Sequence, residues 1–259
     1  MYEKELKFML EAARQARDVI LKYYNDGFHV EIKDDNSPVT EADKKSDALI
    51  RQILAPEFPT YGFLTEEVED DLSRLEKEFV FIVDPVDGTK DFVARDDMFT
   101  TNIALSRNGE IVVGVVSIPA ANEYYYAVRG EGSYKIDANG NVKKIHVNDK
   151  TENLTCLTSC FHENAKGDEV RARHKDKITT VQKYGSSIKV CRIAEGLAEI
   201  HYRFGGGTKE WDTAAIQIIL EEAGGLFIKF DKTRITYNKK DVYNHDGYIA
   251  INRIENFLI

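Results

Sequence analysis

The spacing of apolar residues predicts two helices at the start of the chain. Apolar side chains recur every three or four positions over residues 2–24, which predicts an amphipathic helix. A second helix is predicted to begin near Thr40, with Asp43 at the position that closes a capping box. Its buried side is predicted to consist of Ala48, Leu49, Ile53 and Leu54. The polar stretch 33–38 between the helices has no packing pattern, and a mobile loop is predicted there.

The pattern changes to strict alternation in the middle of the chain, and to mixed strands and helices after residue 154. Asn108-Gly109 lies between two alternating runs, which predicts a β-hairpin. The predicted strands are 29–33, 62–65, 79–83, 99–107, 110–118, 123–129, 132–136, 143–147, 154–159, 179–183, 198–203, 226–230 and 247–251. The later predicted helices are 168–177, 187–195 and 211–223. The predicted fold class is α+β over residues 1–150 and α/β over residues 151–259, as two unequal halves.

Composition describes an ordinary globular protein and limits its partners. Of 259 residues, 42% are hydrophobic and 31% are charged, and no apolar run approaches the ~20 residues of a membrane span. The charged N-terminus does not have the pattern of a signal peptide. The three cysteines fit no disulfide framework and no common zinc spacing, so a cytoplasmic protein is predicted. The formal net charge of −9 argues against a nucleic-acid polymer as partner, although a local metal cluster could still attract a small phosphate ester.

The strand predicted at 79–83 leads directly into the main candidate chemistry. Asp84 and Asp87 follow it, at the end of a strand where open α/β sheets bind their ligands. Pro85 is predicted to end the strand and turn the chain. Residues 90–94 are predicted to form a short helix whose first N–H groups could hold an anion. Carboxylates for a cation beside amides for an anion predict a metal-assisted phosphate site, although an ordinary Asp-Gly surface turn would explain the same residues.

Two other segments supply further carboxylates. Glu66 and Glu67 follow the strand predicted at 62–65, and Asp212 lies at the start of the helix predicted at 211–223. Each has an ordinary alternative explanation. The two glutamates could belong to a solvated acidic turn, and Asp212 could complement a helix dipole.

Together these segments resemble the motifs of the magnesium-dependent, lithium-sensitive inositol monophosphatase superfamily. The signature of that family resembles Asp84-Pro85-Val86-Asp87-Gly88-Thr89. The other motifs, in the order that the family has them, are Val39-Thr40-Glu41-Ala42-Asp43, Leu64-Thr65-Glu66-Glu67, Trp211-Asp212-Thr213-Ala214-Ala215 and Glu222-Ala223-Gly224-Gly225. The resemblance covers residues 38–225 and implies a layered αβαβα sandwich of the inositol monophosphatase and fructose bisphosphatase type.

The resemblance also implies a set of metal ligands. The ligands of two or three Mg²⁺ ions would be Glu66, Asp84, Asp87, Asp212 and the backbone carbonyl of Val86. Physical chemistry agrees independently, because crowded carboxylates repel by several kcal/mol per pair even at an effective dielectric constant of ~20 and so require cations. A ligand set made only of oxygen atoms favours Mg²⁺ over zinc or copper.

By the same resemblance, the attacking water and the phosphate have their own residues. Thr89, with Asp43 behind it, would position or deprotonate the water, and Glu66 would orient it. The N–H groups of Gly88 and Thr89 would hold the phosphate oxygens. Asp87 and Asp212 would border the substrate as well as the metal.

The second half resembles one branch of the family, the 3′(2′),5′-bisphosphate nucleotidases. The resemblance lies in residues 185–196, in Tyr202-Arg203 and in Lys90-Asp91-Phe92, where the branch usually has Lys-Glu-Phe. In that branch Lys189 and Arg203 would bind the phosphate that is not cleaved. Ser186 would donate a hydrogen bond, and His162 would contact the base or the sugar. Alternatively, Lys189 and Arg203 are solvated surface cations.

The expected activity is removal of the 3′-phosphate from adenosine 3′,5′-bisphosphate, which gives AMP. One alternative is an inositol or sugar monophosphatase, for which Lys189 and Arg203 would have no phosphate to bind. Another is a metal- or nucleotide-binding regulatory protein without catalysis, against which the intact set of motif residues argues. The sequence leaves the oligomeric state open.

Overall fold

The computed structural model of the chain describes residues 1–32, 38–161 and 165–259. Most of the predicted loop at 33–38 and the predicted substrate residue His162 therefore lie outside the described residues. The helices are α1 (Glu3–Asp26), α2 (Glu41–Glu57), α3 (Thr89–Ala94), α4 (Ala165–Arg173), α5 (Ile188–Ala194) and α6 (Glu210–Glu222), with short 3₁₀ turns at Ser73–Glu76 and Ile254–Asn256. No helix among these residues is both long enough and apolar enough to cross a membrane.

Among the described residues, the strands form two main sheets and two small ribbons. The first nine are β1 (Val30–Ile32), β2 (Pro38–Thr40), β3 (Gly62–Thr65), β4 (Phe79–Asp87), β5 (Thr100–Arg107), β6 (Glu110–Ile118), β7 (Glu123–Val128), β8 (Gly132–Ile136) and β9 (Val142–Ile145). The others are β10 (Leu154–Thr158), β11 (Ile178–Lys183), β12 (Ile200–Phe204), β13 (Thr208–Lys209), β14 (Leu226–Ile228), β15 (Tyr243–Asn244) and β16 (Gly247–Ile251). The ribbons pair β1 with β2 and β13 with β15.

The first main sheet has seven strands in the order β3-β4-β5-β6-β7-β8-β9. All neighbours are antiparallel except β3 and β4. Helices cover both of its faces, so β4 alternates between two cores: Phe81 and Val83 pack toward α1 and α2, whereas Val80 and Ile82 pack toward α6. Burial on both faces explains why this strand is a continuous apolar run in the sequence.

The second main sheet has five strands in the order β11-β10-β12-β16-β14. Helix α6 is buried on nearly all sides, because it packs against the first sheet and against β14 of the second. A further core, which includes Val170 of α4, covers the outer face of the second sheet. The layers therefore run helix, sheet, helix, sheet, helix, and the predicted αβαβα fold class is confirmed. The division into halves at residue 150 stays a prediction.

The prediction that Pro85 ends its strand is wrong. Strand β4 continues to Asp87 through a β-bulge, in which Asp84 pairs with Asn102 and Asp87 with Thr100. Proline has no N–H to donate to the ladder, and the bulge leaves Pro85 at a position where no such bond is needed. The carbonyl oxygen of Pro85 accepts a 2.9 Å hydrogen bond from Thr101 Oγ1. The bulge therefore keeps both aspartates on the strand.

The predicted capping box of α2 is confirmed, but its predicted buried side is partly wrong. Leu54 is buried, whereas Ala48 is exposed and Leu49 and Ile53 are half-buried. The residues that face inward are Ala42, Asp43, Ser46, Asp47, Ile50 and Leu54. Apolar spacing missed this face because three of its members are polar and make local hydrogen bonds or an ion pair.

Candidate active site

Three carboxylates from distant parts of the chain meet between the two main sheets. Asp84 and Asp87 come from the bulged end of β4, and Asp212 comes from the first turn of α6. Each offers an oxygen atom within 4.8 Å of the other two. The N–H of Lys209 donates a 2.6 Å hydrogen bond to Asp212 Oδ2, which fixes this side chain at the helix start. The predicted ligands Asp84, Asp87 and Asp212 are thus brought together, although their role as ligands stays a prediction.

The electrostatics of this cluster favour a cation. Burial raises the pKa of Asp84 well above its ordinary value, and the charges of Glu66, Asp87 and Asp212 raise it further. Burial, with the charges of Asp87 and Glu66, raises the pKa of Asp212 to about 8. Negative charge is therefore costly here, and a bound cation would offset that cost.

Glu66 borders the three-carboxylate cluster from β3. Its backbone N–H donates to the carbonyl oxygen of Val83 at 3.2 Å, which carries the parallel pairing of β3 and β4 one residue further. Its half-buried side chain lines the same cavity as the three aspartates. Glu66 is thus close enough to act on their pKa values but lies outside the 4.8 Å group.

A fixed carboxylate lies behind the hydroxyl of Thr89. Asp43 Oδ2 accepts hydrogen bonds from Thr40 N at 2.9 Å and from Thr40 Oγ1 at 2.6 Å. Thr89 Oγ1 lies 3.3 Å from Asp43 Oδ1 and 3.3 Å from the carbonyl oxygen of Val86. The single hydroxyl hydrogen can be donated to only one of these acceptors at a time. The predicted pairing of Thr89 with Asp43 is present, and Val86 lies beside it.

Asp87 is held by three residues that the sequence analysis did not identify. Asp87 Oδ2 accepts from Ser187 Oγ at 2.7 Å, from Thr100 Oγ1 at 3.1 Å and from Asn102 Nδ2 at 3.3 Å. Asn102 Nδ2 also lies 2.9 Å from Ser187 Oγ. Two of them, Thr100 and Asn102, could have been found from the sequence, because they are polar residues at the start of an otherwise apolar strand. These bonds hold the Asp87 carboxylate in one orientation and link β5 to the start of α5.

The carboxylates open into a cavity of about 900 Å³ that also reaches Lys189 and Arg203. Lys189 is only 7% exposed, so the interpretation of this residue as a solvated surface cation is wrong. Its Nζ donates to the carbonyl oxygens of Ser186 at 2.7 Å and Tyr184 at 3.2 Å. Burial lowers the pKa of Lys189 to about 8, while the charges of Asp87 and Asp91 act in the opposite direction. A buried cation thus faces the same cavity as the carboxylates.

Six residues that line this cavity each have a buried side-chain polar atom with no partner within the described part of the chain. They are Asp91, Ser186, His201, Tyr202, Arg203 and Thr208. Buried polar groups are nearly always hydrogen-bonded, so such a concentration indicates a cavity shaped for a polar ligand. Ser186 and Arg203 were predicted to contact substrate. His201 was missed, and Asp91 was noted only as a departure from the branch pattern.

Two glycines allow α3 to approach the turn before α5. Gly88 has φ +91°, and a Cβ there would lie 3.1 Å from the Cβ of Ser186. A Cβ at Gly185 would collide with Asp91 Oδ1 and with the carbonyl oxygen of Met98. This close packing places the predicted phosphate residues Gly88 and Thr89 next to Ser186, on the wall of one cavity.

Comparison with known proteins places the chain among phosphatases. The model of the family described as "Inositol monophosphatase family" matches residues 1–256. A protein of Escherichia coli (strain K12) named 3′(2′),5′-bisphosphate nucleotidase CysQ is 34% identical over 241 residues, which is 92% of this chain and 96% of the relative. Its namesake in Salmonella typhimurium is 32% identical over 246 residues, or 94% of this chain and 98% of the relative.

Solved structures agree on the architecture. The crystal structure of CysQ from Bacteroides thetaiotaomicron, titled a bacterial member of the inositol monophosphatase family, superimposes with a TM-score of 0.85 at 33% identity and covers 98% of this chain and 99% of its own. The Thermotoga maritima IMPase has a TM-score of 0.80 at 24% identity and covers 96% of this chain and 92% of its own, which speaks for the fold alone.

Proposed function

The chain belongs to the inositol monophosphatase family, and on that premise we propose that it is a Mg²⁺-dependent 3′(2′),5′-bisphosphate nucleotidase acting on adenosine 3′,5′-bisphosphate. The family membership supports the proposed class of reaction, which is hydrolysis of a phosphate monoester. One observation carries the substrate: Lys189 and Arg203 line the same cavity as the three-carboxylate cluster. A substrate with two phosphates needs positive charge at both ends, metal at one and side chains at the other. The names of the CysQ relatives support this choice.

The carboxylate cluster fits a hard divalent cation. Its donors are all oxygen atoms, and burial together with their mutual repulsion raises the pKa values of Asp84 and Asp212. Those two residues, with Asp87, Glu66 and the carbonyl oxygen of Val86, would hold Mg²⁺. Bound there, Mg²⁺ would acidify a water molecule and stabilise the charge that develops on the leaving oxygen.

The contribution of the chain itself is to orient the water and the phosphate. Asp43 is fixed by two hydrogen bonds from Thr40, and its Oδ1 lies 3.3 Å from the Thr89 hydroxyl, which can donate its hydrogen to Asp43 and keep its lone pairs for the water. In this proposal Thr89 orients the attacking water for in-line displacement, and the N–H groups of Gly88 and Thr89 hold the phosphate oxygens. Positioning of this kind can supply a large share of the rate enhancement in phosphoryl transfer.

The other end of the cavity would hold the phosphate that remains. Lys189 uses two N–H groups on the carbonyl oxygens of Tyr184 and Ser186, and an ammonium group has three. The Nε of Arg203 is buried and has no partner among the described residues. A phosphate between these cations would complete both donors and would relieve their mutual repulsion.

One observation favours the second candidate, an inositol or sugar monophosphatase. The bonds from Lys189 to the carbonyl oxygens of Tyr184 and Ser186 hold a turn in which Ser186 has φ +43°, an uncommon value for serine. Lys189 could therefore serve the turn alone, and a substrate with one phosphate would then suffice.

Phosphate release from matched substrates separates these candidates. The purified protein is assayed with adenosine 3′,5′-bisphosphate and with inositol 1-phosphate, each with Mg²⁺ and with EDTA. We expect Mg²⁺-dependent release with a kcat/KM on the nucleotide that is at least tenfold higher. Equal or higher kcat/KM on inositol 1-phosphate would refute the nucleotidase proposal and leave the monophosphatase standing.

A further inference from the structure

His201 is a buried histidine that neither the metal cluster nor the phosphate site uses. It lies on β12, two residues before Arg203, so both side chains project from the same face of the strand. The residue is 3% exposed, lines the cavity, and packs its ring against that of Tyr248 with centroids 5.7 Å apart. The ring is therefore fixed in position at the cavity wall.

One hydrogen bond determines the tautomer of His201. Its Nδ1 lies 2.8 Å from the carbonyl oxygen of Leu157, on the neighbouring strand β10. A carbonyl oxygen can only accept, so Nδ1 carries the hydrogen and Nε2 of the neutral ring is an acceptor. Nε2 is buried and has no partner in the described ranges of the chain.

The neighbours of His201 keep the ring neutral. Burial lowers the pKa of His201 to about 3, and the charges of Lys189 and Arg203 act in the same direction. The ring thus adds no positive charge to the phosphate site. Its bare lone pair would instead repel a phosphate oxygen and attract a hydrogen-bond donor.

We propose that Nε2 of His201 accepts a hydrogen bond from a neutral donor of the substrate, a hydroxyl or an amino group, and so selects substrates that carry one. This inference rests on the proposed nucleotidase function. Adenosine 3′,5′-bisphosphate has two such donors, the 2′-hydroxyl of the ribose and the 6-amino group of the base. A site that hydrogen-bonds a donor discriminates against analogues that lack it, because its own acceptor is then left unpaired.

The test compares three substrates on two proteins. The substrates are adenosine 3′,5′-bisphosphate, its 2′-deoxy analogue, and purine riboside 3′,5′-bisphosphate, which lacks the 6-amino group. The proteins are the wild type and His201→Phe, which keeps a ring but has no acceptor. We expect His201→Phe to lower kcat/KM on the adenosine compound by roughly 2- to 13-fold, the usual worth of one neutral hydrogen bond. We expect the same substitution to leave one analogue unaffected.

The pattern of losses decides the outcome. An insensitive deoxy analogue identifies the ribose hydroxyl as the donor, and an insensitive purine riboside compound identifies the amino group. Equal losses on all three substrates, or no loss on any, would overturn the inference. A wild type that cleaves none of the three would instead refute the nucleotidase proposal, and the inference with it.

Two further variants exclude an effect of folding. Ratios of kcat/KM within one protein do not depend on how much of it is active, so partial unfolding of His201→Phe leaves them unchanged. His201→Gln retains a side-chain acceptor and should restore part of the discrimination. Ser117→Ala removes another buried oxygen without a partner in the described chain, but from β6 and away from the residues that line the cavity, and should change no ratio.

Discussion

The substitution Lys189→Met tests whether the buried lysine binds the second phosphate. Methionine keeps most of the apolar stem and the packing but removes the charge. A charge-assisted hydrogen bond is typically worth about 1.5–3 kcal/mol, which is roughly 10- to 150-fold in kcat/KM. We therefore expect a loss of that size on adenosine 3′,5′-bisphosphate. Adenosine 3′-monophosphate, which has no second phosphate, should lose less than about threefold.

The pKa of Lys189 adds a pH signature to the same experiment. With a pKa of about 8 the ammonium is half protonated at pH 8 and about one-tenth protonated at pH 9. The ratio of kcat/KM on the bisphosphate to that on the monophosphate, measured from pH 7 to pH 9.5, reports this free-enzyme group, since effects on the shared chemistry cancel. We expect the wild-type ratio to fall about fivefold between pH 8 and pH 9, and the Lys189→Met ratio to be nearly flat.

The substitution Lys189→Met should raise the stability of the fold although it lowers activity. The pKa of Lys189 is lower in the folded protein than in the unfolded chain, so its charged form destabilises the fold at pH 7, and this cost fades as pH rises from about 8 toward 10.5. Lys189→Met should raise the free energy of unfolding at pH 7 by up to about 3 kcal/mol, less the loss of the bonds to Tyr184 and Ser186.

The control for Lys189→Met is Lys135→Met. The side chain of Lys135 is only 12% exposed and pairs with Glu195, but it does not line the cavity. That variant should leave the substrate ratio unchanged at every pH. A loss of kcat/KM that is equal on both substrates for Lys189→Met, or a wild-type ratio that does not depend on pH, would refute this role of Lys189. Lys189 would then serve only the turn at Ser186.

Three further outcomes are expected. Without Mg²⁺, Asp212→Asn should raise Tm at pH 8, because folding raises the pKa of Asp212 and its contribution to stability is lost as pH rises from about 4 to about 8. With Mg²⁺ the same variant should lose at least 100-fold in kcat, and activity near wild type at saturating Mg²⁺ would remove Asp212 from the metal site. Lithium should inhibit phosphate release at concentrations where sodium does not, which dose–response curves in the two chlorides would show or disprove. Gly185→Ala should lower Tm and kcat/KM together, because its Cβ would collide with Asp91 and Met98; a variant indistinguishable from wild type in thermal melts would contradict this packing.

Local sequence patterns predicted the elements in which the positions of apolar and turn residues follow a regular pattern. The β5–β6 hairpin is one example, because Asn108 and Gly109 both adopt positive φ, at 50° and 84°, as its tight turn requires. Strand β4 is another, since burial on both faces leaves an unbroken apolar run. The buried side of α2 could not be predicted in this way, because Asp43 and Asp47 point inward for the hydrogen bonds and ion pair that they make.

The residues of the candidate site were likewise predicted only in part from local sequence patterns. The motifs contain Asp84, Asp87 and Asp212, and the structure brings them together. The residues that orient Asp87 lie 13, 15 and 100 positions away in sequence, so only the fold shows the contacts of Thr100, Asn102 and Ser187 with it. Burial of Lys189 is likewise a tertiary property, and the sequence left a solvated cation open as an alternative. His201 is one residue in a short strand, and only its missing partner within the described residues distinguishes it.

The two ends of the cavity carry opposite and separately costly charges. At one end, burial and repulsion raise the pKa values of Asp84 and Asp212, and at the other, burial lowers the pKa of Lys189. A metal ion would relieve the first cost, and an anion held by Lys189 and Arg203 would relieve the second. A substrate with a single phosphate, bound at the metal, would leave Lys189 and Arg203 without an anion. In the proposed enzyme the penalty that remains at the other end would be the physical source of its preference for a bisphosphate.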